Sequence, residues 1–102
     1  MSTSISRSRA WMTDDAAALA DALLALQTRG EAYRFLRDLL TEAEIAEFGR
    51  RFRAARMLDA KTPYLEIVKA TGLSSTTVAR VARWLKGGMG GYRLAIARRK
   101  SR

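Results

Sequence analysis

The chain has 102 residues, 19 Lys+Arg against 10 Asp+Glu, a formal net charge of +9, and neither Cys nor His. That length makes one domain with a modest core, and the lack of Cys excludes a disulfide framework or thiolate zinc site and fits a reducing cytoplasm. Without His the commonest general base and metal ligand are missing, so neither an enzyme nor a cofactor is expected.

Residues 1–12, MSTSISRSRAWM, hold no apolar run like that of a secretory signal, and no stretch of the chain reaches the eighteen or more apolar residues of a membrane span. They read as a flexible arm whose Arg7 and Arg9 are available to touch phosphate and whose Trp11 and Met12 can tuck onto the fold. Thr13 is an N-cap residue, with Asp14 and Asp15 placed to meet the helix dipole. The helix that follows is apolar on every side: from Ala16 to Leu26 only Asp21 is polar. Such a helix must be buried all round, and a chain this short has little mass to surround it. A second copy of the chain is the expected cover; a central helix of a monomeric bundle is the competing reading.

Gly30 is expected to break that helix, and Glu31–Leu40 form the next, with Ala32, Phe35, Leu36, Leu39 and Leu40 on one apolar stripe. Thr41-Glu42-Ala43-Glu44 is a capping box that opens a longer helix over residues 42–60. Its expected inner face is Ile45, Phe48, Phe52 and Ala55, while Arg50, Arg51, Arg53 and Arg56 crowd its latter half, either as a solvated face or turned toward an anion.

From Thr62 to Lys86 the pattern is two short helices joined by a tight turn. Thr62 suits an N-cap and Pro63 the first helical position. Ile67 and Val68 give the first helix an inner face, and Gly72 sits where the turn needs a residue that tolerates positive φ. Ser74 can cap the second helix, whose inner face is Val78, Val81 or Ala82, and Leu85. The opposite face carries Ser75, Thr76, Ala79, Arg80 and Arg83. Short polar groups near a helix N-terminus with arginines behind them are what a DNA-reading helix needs, because the helix end must approach base edges while guanidinium groups reach phosphate or guanine. Counted from Tyr64, a 20-residue helix-turn-helix pattern is met at Ile67, Gly72, Leu73, Val78 and Val81, and missed at Val68 and Thr71. Beyond Lys86 the run Gly87-Gly88-Met89-Gly90-Gly91 reads as a flexible loop. Tyr92, Leu94 or Ala95, and Ile96 mark a short closing helix, and residues 98–102 a basic tail.

Charge follows the same division. Residues 14–48 hold three basic and eight acidic groups, net −5, whereas residues 49–102 hold fourteen basic and two acidic groups, net +12. The positive field surrounds the paired short helices, where phosphate contacts would fall.

Leu39-Leu40-Thr41 leading into a long helix with paired arginines, a helix-turn-helix ending in Arg80, and the closing Gly91-Tyr92-Arg93-Leu94-Ala95-Ile96 resemble the Trp repressor superfamily. The words around Phe48–Leu58 look most like its YerC/YecD-type branch. The resemblance covers residues 30–97. It implies an all-α, intertwined homodimer in which the N-terminal helices form a shared core and each subunit offers one helix-turn-helix to successive major grooves. It places Ser75, Thr76 and Ala79 against bases, with Ser74, Thr77 and Arg80 on the same DNA-facing end and Lys69, Arg83 and Lys86 as backbone contacts. In tryptophan-binding members two arginines clamp the ligand. Arg51 and Arg80 match them, with Thr77 and Leu40 at lining positions. The glycine and serine that leave room for the indole are here Val81 and Trp84, bulk that should close the pocket.

The expectation is therefore a cytoplasmic, sequence-specific double-stranded DNA-binding regulator of bacterial type. It would comprise a helical domain over residues 13–97 with its helix-turn-helix at about 62–86, acting as a homodimeric repressor without cofactor, membrane or tryptophan response. Any small effector is unidentified. The rival is a non-enzymatic protein-interaction or nucleic-acid accessory module that uses the paired helices as scaffold.

Overall fold

The computed structural model describes residues 8–100. Arg7 of the expected arm, and Ser101 and Arg102 of the expected tail, lie outside the described residues. Every regular element among those described is helical. The chain divides after Leu40 into two compact units.

In the first unit Ser8–Trp11 make one 3-10 turn, and α1 spans Asp14–Ala25. Thr13 caps it, its hydroxyl accepting the Ala16 N–H at 3.1 Å. Gly30 does not end this helix. The break falls at Leu26-Gln27-Thr28, and α2 runs Arg29–Leu39 with Gly30 inside its first turn. Thr28 sets that boundary: its hydroxyl accepts the Glu31 N–H at 3.1 Å, while the Glu31 carboxylate accepts the Gln27 N–H at 2.9 Å. A capped start outweighs one glycine in a turn whose amides have few intrahelical partners. Neither α1 nor α2 contains a buried residue, and Leu24 is 83% exposed.

The second unit is built on α3, Glu42–Asp59, opened by the capping box: Thr41 Oγ1 accepts the Glu44 N–H and Glu44 Oε1 accepts the Thr41 N–H, at 3.1 and 2.9 Å. Against α3 pack α4 (Tyr64–Thr71), α5 (Ser75–Gly87) and α6 (Gly91–Lys100). The core is Ala54 and Ala55 of α3, Ile67 of α4, Leu73 of the turn, Val78, Val81 and Leu85 of α5, and Ile96 of α6. Two alanines at its centre let the neighbouring helices come close. The core thus draws on the second half of α3. Phe52 and Ala55 join it as expected, but Phe48 stays exposed and Ile45 half-buried. On α5 both Val81 and Ala82 are buried, and on α6 Ile96 is buried while Leu94 and Ala95 face outward.

Three joints differ from expectation. The α3 end closes with Lys61 N–H to Leu58 C=O and Thr62 N–H to Met57 C=O, with Lys61 in the left-handed region at φ 67; this double bond is the Schellman closure, here without its usual glycine. Thr62 is thereby committed to α3 and does not cap α4. Pro63, at ψ 146, is the cap residue, and no side chain bonds the α4 amides. The glycine-rich run is not a long loop, because Gly87 ends α5, Gly91 starts α6 and only residues 88–90 lie between. Finally, α6 continues through Arg98 and Arg99 to Lys100, whose ammonium sits 3.3 Å from Asp59, so the basic tail begins as helix.

Candidate nucleic-acid interface

The α4–α5 corner is fixed by local chemistry. Gly72 adopts φ 75, which L-side chains resist, and its N–H reaches Val68 C=O at 2.9 Å. Thr71, a departure from the expected apolar residue, is 6% exposed. Its hydroxyl donates to Ile67 C=O at 2.7 Å and accepts the Leu73 N–H at 3.2 Å. One buried side chain thus ties the end of α4 to the turn, which explains why a polar residue is tolerated there. Ser74 then starts α5: its hydroxyl accepts the Thr77 N–H at 3.1 Å and donates to Thr77 Oγ1 at 3.0 Å.

These bonds sort the expected site residues. Ser74 and Thr77 are occupied in building the helix start, and Thr77 is half-buried. Ser75, Thr76, Ala79, Arg80, Arg83 and Lys86 are all exposed. At about 100° per residue they fall within one arc of roughly 140°, centred away from Val78, Val81 and Leu85, with Ser75 and Lys86 at its edge nearest the buried side. Lys69 is exposed on α4. The structure therefore gathers six of the named residues on one polar, basic face of α5.

The α3 arginines are largely occupied. Arg50 and Arg51 both bond Glu47, at 3.1 and 3.2 Å. Arg50's bond chiefly, with Arg51's beside it, holds the Glu47 carboxyl below the usual carboxylate range. Arg51 also stacks over Phe48, and Arg56 over Phe52 with 5.4 Å to the ring centroid. Arg53 reaches across to α4 and donates to Ala70 C=O at 3.2 Å, closing the C-terminal end of that helix. The sequence reading missed this role, since a contact seventeen residues apart leaves no local signal. It also missed Arg93, whose guanidinium donates to Leu85 C=O at 2.8 Å and so covers the end of α5.

Of the two arginines matched to the effector clamp, Arg51 is engaged by Glu47, whereas the Arg80 guanidinium has no hydrogen bond or ion pair to the described residues. Val81 is 2% exposed and belongs to the core. Trp84 is half-exposed, its ring laid against Gly88 so closely that a Cβ there would come within 2.6 Å of Cε3. Among the described residues no group of acids could hold a metal ion, and no helix is long and apolar enough to cross a membrane.

An all-helical fold with paired short helices and a basic outer face is the make-up of a class of non-enzymatic DNA-binding regulators. The profile of one such family, Trp repressor protein, matches residues 14–100, and the chain belongs to that family. It is 39% identical over 82 residues to the uncharacterized protein YerC of Bacillus subtilis (strain 168), covering 80% of this chain and 79% of YerC. A crystal structure of a TrpR-like protein from Eubacterium eligens ATCC 27750 superposes with a TM-score of 0.80 at 38% identity, over 84% of this chain and 89% of that one. A candidate Trp repressor from Staphylococcus aureus gives 0.83 at 32% identity, over 91% and 94%.

Proposed function

We propose that this protein is a homodimeric, sequence-specific regulator that binds double-stranded DNA through α4 and α5, represses by occupying its operator, and does no chemistry. The observation that carries the reading is the exposed arc of α5. Ser75, Thr76 and Ala79 at its N-terminal end are short enough to admit base edges, and Arg80, Arg83 and Lys86 follow at phosphate-reaching positions. Lys69 adds a cation on α4, while Ser74 and Thr77 serve by holding the helix start. The homodimer is supported by α1: Leu19, Leu23 and Leu24 are all exposed in the single chain, a surface that water would not leave uncovered. Unresponsiveness to tryptophan is supported by Val81 and Trp84, which stand where the family's pocket has small residues.

The test is selection of bound fragments from a pool of duplex DNA at physiological salt, with and without tryptophan. The expected result is one motif with two-fold symmetry and half-sites about 34 Å apart, unchanged by tryptophan. Binding that collapses between low and physiological salt with no recovered motif would replace this reading with the interaction-module alternative, in which exposed α1 docks on another protein.

A further inference from the structure

A hollow of about 660 Å³ opens in the second unit where the end of α3, the start of α4, the last turn of α5 and α6 come together. Its size falls within the range of small-molecule sites. Neither Arg51 nor Arg80 lines it, so it is separate from the place the family resemblance assigns to an effector. Its base is apolar, formed by the buried Ala82, Leu85 and Ile96. Lys61, Lys86 and Lys100 line the same hollow.

The charges around it do not cancel. Asp59 is the one acid in the lining, and it is held by Lys100 at 3.3 Å. Arg93 is committed to the Leu85 carbonyl, where its charge offsets the negative end of the α5 dipole. The ammonium groups of Lys61 and Lys86 have no hydrogen bond or ion pair to the described residues. An apolar base beside two uncompensated cations selects for a molecule with both parts.

We propose that this hollow binds a small amphipathic organic anion, with its aromatic or branched body on Ala82, Leu85 and Ile96 and its carboxylate or phosphate between Lys61 and Lys86. A DNA phosphate would engage the lysines and leave the apolar base unused. The inference does not rest on the DNA reading, because its readout is ligand binding alone.

The test is an NMR titration of the full-length, ¹⁵N-labelled protein with 2-naphthoate, run beside the uncharged 2-naphthalenemethanol and inorganic phosphate. Saturable shifts are expected at Lys61, Ala82, Ile96 and Ala97, with both comparison compounds markedly weaker. Lys61→Glu should raise the Kd roughly tenfold by reversing one of the two cations. Ala97→Trp, at an exposed position that lines the hollow, should block it while leaving the rest of the spectrum native. The proposal is overturned if 2-naphthoate does not saturate, if Lys61→Glu leaves its affinity unchanged, or if the alcohol or inorganic phosphate binds equally well. Shifts confined to Trp84–Tyr92 would overturn it as well.

Discussion

Thr76 and Lys86 lie on the same exposed arc of α5 and should nevertheless fail differently. The Thr76 hydroxyl has no hydrogen bond to the described residues and stands in the first turn of α5, so it and the methyl are open to a base edge. Thr76→Ala should narrow the gap between preferred and unrelated duplexes, costing about 1–3 kcal/mol on the preferred site alone. Lys86→Ala should weaken all duplexes alike and lower the salt slope by about 1, as expected for one lost phosphate contact. Titrations of both variants over a salt series read the two effects separately, and equal losses on every duplex for Thr76→Ala would remove it from the base-reading set. Thr71 acts inside the fold. Replacing it with Val keeps the shape but strips the Leu73 N–H of its buried partner, which should cost about 1–3 kcal/mol in denaturant unfolding. Thr71→Ser, which keeps the hydroxyl, should recover most of that loss.

The linker between α5 and α6 carries a constraint that its composition disguises. At Gly88 a Cβ would stand 2.4 Å from the Trp84 carbonyl oxygen, which is backbone and cannot swing aside, whereas at Gly87 nothing lies within 4 Å. Gly88→Ala should therefore lower stability by about 1–3 kcal/mol through forced repacking. Gly87→Ala, at the last residue of α5, should be neutral or stabilising by up to about 1 kcal/mol. In thermal melts Gly88→Ala should fall below the parent while Gly87→Ala should not.

On α3 the element-scale effect is electrostatic. Glu47 has its folded pKa lowered by hydrogen bonds from Arg50 and then Arg51. Its contribution is thus present above the ordinary glutamate value of about 4.3 and lost as pH falls through the lower folded value. Glu47→Gln should remove that part of the acid dependence, seen as a shallower fall of melting temperature below about pH 5 relative to the parent. Because the cluster is open to solvent, added salt should shrink the difference.

At the scale of the whole molecule, the charge and the apolar surface are segregated along the chain. Residues 41–102 hold fourteen Lys+Arg and five Asp+Glu, net +9, whereas residues 1–40 hold five of each. The same N-terminal stretch carries Leu19, Leu23 and Leu24 at 41%, 51% and 83% exposure, with no buried residue on α1 or α2. A neutral stretch with an exposed apolar helix and a basic stretch fit the proposed function, in which the first assembles and the second meets DNA. Sedimentation of the parent should give a dimer at micromolar concentration. The double variant Leu23→Lys, Leu24→Lys should sediment as a monomer and lose site-specific affinity along with it, since one half-site alone holds too few contacts. A parent that sediments as a monomer would refute the assembly.

The sequence by itself determined what depends on near neighbours. The caps at Thr13, Thr41 and Ser74, the left-handed turn at Gly72, and the buried stripe Val78–Leu85 set against the basic arc of α5 all rest on groups within one or two helical turns. Tertiary structure decided the rest, because it turns on atoms far apart in the chain. Which part of α3 enters the core follows from where α4, α5 and α6 land on it, so Ala54 is buried and Phe48 is not. That Arg53 closes α4 and Lys100 bonds Asp59 depends on contacts seventeen and forty-one residues apart. Thr71 is the intermediate case: its bonds to Ile67 and Leu73 are local, but its burial at 6% exposure comes from the helices packed around the turn, and that burial is what makes the two bonds matter.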